Sequence, residues 1–237
     1  MKFDIHHSDT RGHANHGWLN AYHSFSFASW YNKDRVNFGA LRVLNDDTVA
    51  PSMGFSMHPH DNMEIITIPL QGQIKHQDSM GHSAVIEAGE IQVMSAGTGI
   101  YHSEINPNRE VPLKLFQIWI FPNKRGVEPR YDQRKIDLDS VKNDWKQLVS
   151  PNENDEGSWI HQEAWISMGE FDENLTIKIN SRSSKHGAYL LVIEGEIEFE
   201  GERLRNRDAL AIEDFYNFEI KALSKSKLLL LEVPMEF

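Results

Sequence analysis

Short apolar runs separated by turn-forming residues dominate the pattern of hydrophobic and polar positions along this chain. The runs are rich in Val, Ile, Leu, Phe and Trp, and Gly and Pro recur between them. Runs of this length and composition are typical of β-strands, and many of them in series favour a sandwich or a barrel. The clearest strand candidates are Glu64–Leu70, Glu90–Met94, Leu113–Phe121, Tyr189–Ile193 and Lys227–Val233. The pattern therefore predicts an all-β fold.

One stretch, Gln133–Val149, departs from this pattern and has the spacing of a helix. Its apolar residues fall on one helical face, and they are Ile136, Val141, Trp145 and Leu148. The polar segment Pro151–Gly157 follows directly and is rich in turn-forming residues. We therefore expect a short helical connector between two domains. The expected division is an N-terminal domain at 1–122, a connector at 123–158 and a C-terminal domain at 159–237.

A short internal repeat indicates that the two domains are copies of one β unit. The segment Ile68–Ile74 is similar to Leu191–Ile197, and Ala88–Met94 can be aligned with Asn206–Ile212. The first copy carries five more residues between its two matches, and we place this surplus at a hairpin tip around Asp78–His82. The sequence thus predicts two tandem β-barrels.

Composition narrows the classes of function that the chain can have. The 237 residues include 24 Lys and Arg against 35 Asp and Glu, which gives a formal net charge of −11. Non-specific nucleic-acid binding depends on neutralising phosphates with basic side chains, so this balance argues against it. The absence of cysteine excludes disulfides, thiolate metal ligands and a cysteine nucleophile.

The sequence carries no sign of a membrane or export segment. Its longest apolar runs are far shorter than the ~20 residues that a helix needs to span a bilayer. The start of the chain, Met1–His7, lacks the apolar region of a signal peptide. We therefore expect a cytoplasmic protein with no membrane partner.

Histidine is concentrated in the first part of the chain, since ten of the 12 histidines lie at or before residue 102. Two of them form the motif His58-Pro59-His60. Residues two apart in an extended strand point to the same face, about 6.6 Å from each other, so two imidazoles can converge on one metal ion. The polar face of an ordinary strand would explain the same motif, and the motif alone leaves both interpretations open.

A second pair, His102 and Glu104, alternates in the same way and can face one side of a strand. Gly97 and Gly99 precede the pair and favour a tight turn that leads into this strand. The alternative is a surface strand with one His and one Glu. If the two pairs meet, three imidazoles and one carboxylate surround a common point. Such a donor set favours a first-row transition metal with open coordination positions.

Glu64 competes with Glu104 for the fourth ligand position. It lies four residues after His60, about 13 Å along a flat strand, so it reaches the same ion only if the chain turns at Asp61 and Asn62. Glu64 could instead orient a ligand imidazole through a hydrogen bond. We rank Glu104 first and Glu64 second.

The second copy of the repeat lacks all four of these donors. Counted from the paired glycines, Gly72 and Gly195, the corresponding positions are occupied by Ser181, Ser183, Ile220 and Ala222. A structural requirement of the fold would occur in both copies. The asymmetry therefore favours a metal site in the first copy and a scaffold role for the second.

The residues around these histidines resemble the pirin family, whose members are bicupins. The resemblance rests on His58–Glu64, Asp78–Gly81 and Met94–Glu104, together with Arg11–Gly12, Trp18–Leu19, Tyr22–Phe27 and Phe38–Asp47. It is dense over residues 11–122 and looser beyond them. It implies two tandem cupin β-barrels with one metal ion in the first, held by His58, His60, His102 and Glu104. Iron as Fe²⁺ is the metal that the resemblance implies, and nickel, manganese, copper or zinc are alternatives.

The resemblance also implies an activity. Some bacterial pirins are similar to quercetin 2,3-dioxygenase, which opens the flavonol ring with O₂ and releases carbon monoxide. A flavonol-like substrate is then expected, with Glu104 as the acceptor of its hydroxyl proton. The alternative function is that of a metal-binding, redox-sensing regulatory protein that acts through a protein partner.

Apolar side chains are expected to surround the metal ion and to grip a flat aromatic molecule. The residues expected there are Met57, Ile65, Met94 and Phe116. The aromatic residues of the N-terminal segment are expected to pack that segment onto the barrel, with one or two of them available to stack on a substrate. They are Trp18, Phe25, Phe27, Trp30 and Tyr31. The five N-terminal histidines, His6, His7, His13, His16 and His23, are not expected to be metal ligands.

Overall fold

Twenty-two β-strands and one turn of 3-10 helix (Ser8–Thr10) form the regular structure of the chain, and a computed structural model describes all residues, 1–237. The strands of the first half are β1 (Lys2–His6), β2 (Gly12–Asn15), β3 (Leu19–His23), β4 (Leu41–Val49), β5 (Gly54–His60), β6 (Glu64–Gln71), β7 (Gln73–Asp78), β8 (Ser83–Glu87), β9 (Glu90–Ser95), β10 (Ile100–Ile105) and β11 (Leu113–Ile120). The remaining strands are β12 (Arg130–Lys135), β13 (Lys146–Ser150), β14 (Ser158–Trp159), β15 (Trp165–Phe171), β16 (Thr176–Asn180), β17 (His186–Glu194), β18 (Ile197–Phe199), β19 (Glu202–Leu204), β20 (Ala209–Glu213), β21 (Asn217–Ala222) and β22 (Ser226–Pro234). The structure contains no helix with the length and apolar character needed to cross a lipid bilayer.

These strands form two barrels, each built from one large and one small sheet. The first barrel combines the sheet β12-β9-β6-β11-β4-β3-β2 with the sheet β5-β10-β7-β8. The second combines β1-β20-β17-β22-β15-β13-β14 with β16-β21-β18-β19. The all-β prediction is therefore confirmed, and the five strand candidates correspond to β6, β9, β11, β17 and β22.

The N-terminal strand of the chain pairs with the second barrel rather than with the first. The N-terminal strand β1 pairs with β20 of the second barrel, so that Lys2 faces Glu213 and His6 faces Ala209. Strand β12, which follows the first barrel's last strand, pairs back onto β9 of that barrel. The boundaries 1–122, 123–158 and 159–237 stay a prediction, but the sheet pairing shows that residues 2–6 belong to the second barrel's sheet.

The expected helical connector is wrong. The stretch from 133 to 149 contains the end of β12, a series of turns and the start of β13. Its apolar residues serve two different cores, because Ile136 and Leu138 pack between the large sheets whereas Trp145 packs on the interior of the second barrel. A helix would present these residues on one face. Local polar bonds favour turns instead, since Asp137 accepts a hydrogen bond from the Ser140 amide and Asn143 adopts a left-handed φ of 58°.

The largest apolar core lies between the two large sheets, and it joins the barrels into one body. It contains 26 buried residues drawn from both halves, including Ile66 and Ile118 on one side and Tyr189 and Leu229 on the other. Strand β17 is buried on both faces, so its residues alternate between this core and the second barrel's interior, which holds 17 apolar residues. The first barrel's interior differs, because its apolar side chains form two separate clusters of 7 and 4 residues. Polar side chains fill the space between these two clusters.

The internal repeat is present in the fold, although its residue-by-residue pairing is partly wrong. Gly72 joins β6 to β7 and Gly195 joins β17 to β18, with φ values of 78° and 95° that favour glycine at this turn in both barrels. The surplus of the first copy lies at the β7–β8 hairpin, as predicted. However, Ser181 and Ser183 lie beyond the end of β16. The inward positions of β16 are Ile177 and Ile179, which are buried in the second barrel's core together with Phe218 and Ile220 of β21.

An ion-pair cluster connects the barrels beside the shared core. Asp46 of β4 accepts hydrogen bonds from Arg11 Nη1 at 3.3 Å and from Arg207 Nε at 2.7 Å. Arg207 belongs to the second barrel, where it also donates to the Ile193 carbonyl, and its guanidinium lies over the Phe116 ring. The Asp46 side chain is only 17% exposed, so the pairing is poorly screened by water.

We expect Asp46→Ala to lower the free energy of unfolding by about 3 kcal/mol, because it leaves two poorly solvated guanidinium groups without their anion. Asp34 is a suitable control, since its ion pair with Lys33 is solvated and its side chain is 77% exposed. Asp34→Ala should change stability by less than about 1 kcal/mol. Urea unfolding followed by tryptophan fluorescence measures both, and equal losses in the two variants would contradict the assignment.

Candidate metal centre

Three imidazole rings meet inside the first barrel. Strand β5 presents His58 and His60, and the antiparallel strand β10 places His102 directly opposite His58. The ring centroids are 4.4 Å apart for His58 and His102, and 4.9 Å apart for each of the other two pairs. One ring nitrogen of each residue lies within 4.8 Å of the others. The structure therefore brings together the three histidines singled out in the sequence.

Glu104 lies two residues after His102 on β10, and its carboxylate is close to His102. The pairing of β10 with β5 shifts between His102 and Glu104, and Gly54 permits the close approach, because a Cβ atom there would lie 2.2 Å from the Glu104 carbonyl oxygen. The Glu104 carboxylate lies within 4.8 Å of ring nitrogens of His102 and His76. The cluster formed with His58 and His60 does not include this carboxylate.

His76 is a buried member of the site that the sequence interpretation missed. Its side chain is 1% exposed, and its Nε2 donates to Asp78 Oδ2 at 3.1 Å. Burial opposes ionisation of Asp78, but the hydrogen bonds from His76 and His82 lower its pKa overall, so Asp78 is the acceptor. The signal was present in the sequence, because His76 and Asp78 alternate on β7 as His58 and His60 do on β5.

The donor atoms fit a divalent transition metal. Both ring nitrogens of His102 are buried and have no hydrogen-bond partner, which is costly for polar atoms unless a ligand satisfies them. His58 Nδ1 donates to the Ser56 carbonyl at 2.7 Å, which leaves Nε2 free, as is usual for metal-bound histidine. Burial, followed by the neighbouring imidazoles, lowers the pKa of His102 to about 2, and burial and His58 lower that of His60 to about 4. Both rings are therefore neutral at pH 7, which is the form that binds metal.

The Glu104 carboxylate is fully enclosed and is held by two hydrogen bonds. Thr67 Oγ1 donates to Oε1 at 3.3 Å, and Gln117 Nε2 donates to Oε2 at 2.9 Å. Burial raises the pKa of Glu104, although His76, Gln117, His58 and Thr67 act in the opposite direction. A carboxylate with a raised pKa is a stronger base than an exposed one.

A pocket of ≈ 200 Å³ opens beside the imidazole rings. Its apolar wall is formed by Leu19, Ala21, Phe27, Phe55 and Trp119, and its polar wall by His23, Asn45, Asp47, His58, His60, Glu104 and Gln117. Trp119 packs its ring edge-on against both His60 and Phe27, at centroid distances of 5.0 and 5.4 Å. The pocket therefore combines a metal-type donor cluster with aromatic walls.

The prediction of which apolar residues surround the metal ion is wrong. Met57 is exposed, because it is adjacent to His58 and neighbouring residues of a strand point to opposite faces. Ile65 and Met94 pack in the smaller apolar cluster of the first barrel, and Phe116 belongs to the core between the large sheets. None of the four lines the pocket.

The N-terminal segment contributes more to the pocket than its sequence indicated. Phe27 and His23 line the pocket, whereas the other four N-terminal histidines do not. Trp18 packs on Phe55 at a centroid distance of 5.2 Å, and Phe25 is buried between the large sheets. Of the five aromatic residues considered, Phe27 is the one that lines the pocket, and its contact with a substrate stays a prediction.

Glu64 lies apart from the imidazole cluster. Its Oε2 accepts a hydrogen bond from Ser95 Oγ at 2.7 Å, and it belongs to neither group of close donor atoms. Burial raises the pKa of Glu64 to about 7, against the opposing effects of Ser95, the His161 amide and Arg130. The geometry thus gives Glu64 no place as a rival ligand.

Two family descriptions match the chain. Residues 4–120 match the family described as pirin, and residues 147–233 match the family described as quercetinase C-terminal cupin domain. A curated protein of Escherichia coli named quercetin 2,3-dioxygenase is 42% identical over 232 residues, which cover 96% of each chain. A pirin-like protein of Caulobacter vibrioides is 39% identical and covers 94% of this chain and 96% of its own. The chain is thus similar over nearly its full length to a named oxidoreductase.

Solved structures confirm the fold and bear on the metal. The bacterial pirin YhhW of Escherichia coli, solved in complex with nickel(II), has a TM-score of 0.93 at 38% identity and covers 98% of this chain and 99% of that one. Quercetin 2,3-dioxygenase of Acinetobacter baumannii shares the fold, with a TM-score of 0.76 at 21% identity over 98% of this chain and 86% of its own. The nickel-bound relative and the clustered imidazoles together support a metal-binding site.

Glu64 gives a test of the electrostatics next to this site. Between its ordinary pKa of 4.5 and its raised pKa of about 7, the folded protein holds a proton that the unfolded chain has released. This residue therefore makes stability fall as the pH rises through that window, and the full cost is present above pH 7. Glu64→Gln, which is neutral throughout, should gain about 2–3 kcal/mol relative to wild type between pH 5 and pH 8.

Urea unfolding of both proteins at pH 5 and pH 8 measures this gain. Glu110→Gln is the matched control, since Glu110 is exposed and its substitution should leave the pH dependence unchanged. Parallel pH profiles for Glu64→Gln and wild type would show that Glu64 is ionised in the folded state at pH 5.

Proposed function

The chain belongs to the pirin family, and from this premise we propose that it is a metal-dependent dioxygenase that opens the ring of flavonols such as quercetin with O₂ and releases carbon monoxide. The observation that carries the proposal is the cluster of three imidazoles formed by His58, His60 and His102, two of which line an aromatic pocket. The full-length relative named quercetin 2,3-dioxygenase supports the same reaction class.

Four side chains would hold the metal ion in this proposal. His58, His60 and His102 supply ring nitrogens, and Glu104 supplies a carboxylate oxygen once small side-chain movements bring it to the same ion. Fe²⁺ is the proposed ion, because imidazole and carboxylate donors with open positions suit iron, although nickel, manganese, copper and zinc accept similar ligands. A bound divalent ion supplies Lewis acidity, which favours the deprotonated and electron-rich form of a flavonol hydroxyl.

Glu104 is the proposed proton acceptor for that hydroxyl. Its burial raises its pKa, so the carboxylate can take up a proton near neutral pH more readily than an exposed glutamate can. Gln117 and Thr67 lie within hydrogen-bond distance of the two carboxylate oxygens and limit the orientations that the group can adopt.

The aromatic walls select a flat substrate and exclude water. Phe27, Phe55 and Trp119 line the pocket beside the imidazoles, where they offer apolar contact to a planar ring. The volume of ≈ 200 Å³ is below the range of about 300–1,000 Å³ that is usual for drug-sized ligands. A flavonol would therefore place one ring system inside and extend the rest toward the pocket mouth.

Turnover of quercetin tests the proposed reaction. We expect protein that was loaded with iron without oxygen to consume quercetin when air is admitted, with loss of the flavonol absorption band and release of one carbon monoxide per molecule consumed. The nickel, manganese and copper forms should be measured in parallel, since the same donors accept these ions. Absence of turnover in all four forms would overturn the dioxygenase and leave the metal-binding regulator as the function to pursue.

Metal content tests the ligand assignment independently of activity. We expect His58→Ala to lose stoichiometric metal binding yet to remain folded, because this imidazole lies outside the apolar clusters of the first barrel. His16→Ala, which changes an exposed histidine, and Ser183→Ala in the second barrel should both keep the wild-type metal content. Elemental analysis and circular dichroism measure metal and fold, and full metal occupancy in His58→Ala would remove His58 from the ligand set.

A further inference from the structure

Asp47 presents a buried carboxyl group to the pocket, and this group plays no part in the proposed chemistry. Strand β4 directs Asn45 and Asp47 to the pocket, while Asp46 between them faces the ion-pair cluster. Asp47 is 5% exposed, and its Oδ1 atom is buried without a hydrogen-bond partner. A polar atom left in this condition lowers the stability of the fold.

The other polar groups of the pocket wall have assigned partners. Asn45 and His23 bond to each other at 2.9 Å, and Gln117 bonds to Glu104. The histidines of β5 belong to the donor cluster. Among the oxygen atoms of the pocket wall, only Asp47 Oδ1 is both buried and unpartnered. The indole N–H of Trp119 also has no partner, but it lies elsewhere in the pocket. Asp47 pairs with Leu115 of β11, and Trp119 lies four residues further along that strand.

The protein side chains around Asp47 provide no partner for a charged carboxylate. Burial first, and then the charges of Asp46 and Glu104, raise the pKa of Asp47 to about 8. No lysine or arginine side chain pairs with Asp47, whereas the adjacent Asp46 has two arginine partners. A carboxyl oxygen accepts a hydrogen bond from a hydroxyl group in either ionisation state, so the unpartnered carboxyl group of Asp47 is suited to bind a hydroxyl group.

We propose that Asp47 is a substrate-binding residue, whose carboxyl group hydrogen-bonds a ring hydroxyl of a polyhydroxylated flavonol that is distinct from the hydroxyl directed to the metal. The inference rests on the proposed function for the substrate class. The inference adds a prediction about substrate specificity. The pocket should bind flavonols with hydroxyl groups beyond the one directed to the metal more tightly than flavonols that have only that one. A substrate without such a hydroxyl leaves Asp47 unpartnered, and that is the situation in which polar sites discriminate strongly.

Paired substrates and variants test this contact. Quercetin carries further ring hydroxyls, and 3-hydroxyflavone retains only the one proposed to reach the metal. We expect wild type to prefer quercetin in kcat/KM, and Asp47→Leu to lose roughly 10- to 100-fold of that preference by weakening quercetin alone. Asp47→Asn keeps a group that donates and accepts, so it should retain part of the preference. Asp34→Asn, at an exposed aspartate outside the pocket, should retain all of it.

Binding without oxygen separates this inference from the proposed function. The dissociation constants of both flavonols are measured by fluorescence quenching on metal-loaded protein under anaerobic conditions, where no turnover occurs. Loss of the quercetin preference in Asp47→Leu supports the contact even if the aerobic assay shows no dioxygenase activity. A preference that is unchanged in Asp47→Leu, or equal weakening of both ligands, would overturn it, because a merely structural role affects both flavonols alike.

Discussion

The burial of several imidazoles and a carboxylate inside one barrel is the constraint on which the rest of this structure depends. The polar layer formed by His76, His102 and Glu104 with Thr67 and Gln117 occupies space that a β-barrel normally fills with apolar side chains. It divides the apolar interior of the first barrel into two small clusters. Because hydrophobic burial is the main stabilising contribution to folding, this barrel has less of it than its partner.

Apolar packing against the second barrel compensates for the small apolar interior of the first barrel. Its large sheet packs against that of the second barrel across a core of 26 residues, and the second barrel is itself filled by a continuous apolar cluster. The inward positions that hold His58, His102 and Glu104 in one copy hold isoleucine and phenylalanine in the other. Duplication thus gives one copy a chemical role and the other a supporting one.

Local patterns in the sequence were sufficient for the strands, the turn glycines and the histidine pairs, because each depends on residues that are close along the chain. The helix predicted at 133–149 is wrong because Ile136 and Trp145 pack into different apolar cores. The spacing of apolar residues does not show whether they enter one core or two. Met57 was predicted to lie beside the metal ion. Strand alternation contradicts this prediction, because neighbouring residues such as Met57 and His58 point to opposite faces of a strand. The alternation of His76 with Asp78 would have identified His76, but Asp47 could not be placed, because strands far apart in sequence bring it to the pocket.

The pairing of β1 with the second barrel has a consequence for how the chain folds. Strand β1 is synthesised more than 200 residues before its hydrogen-bonding partner β20. Strand β1 therefore stays without its partner until the second barrel is nearly complete. Such long-range pairing raises the contact order and slows folding. Docking of β1 then covers the open edge of the second sheet, which would otherwise offer an exposed strand to other chains.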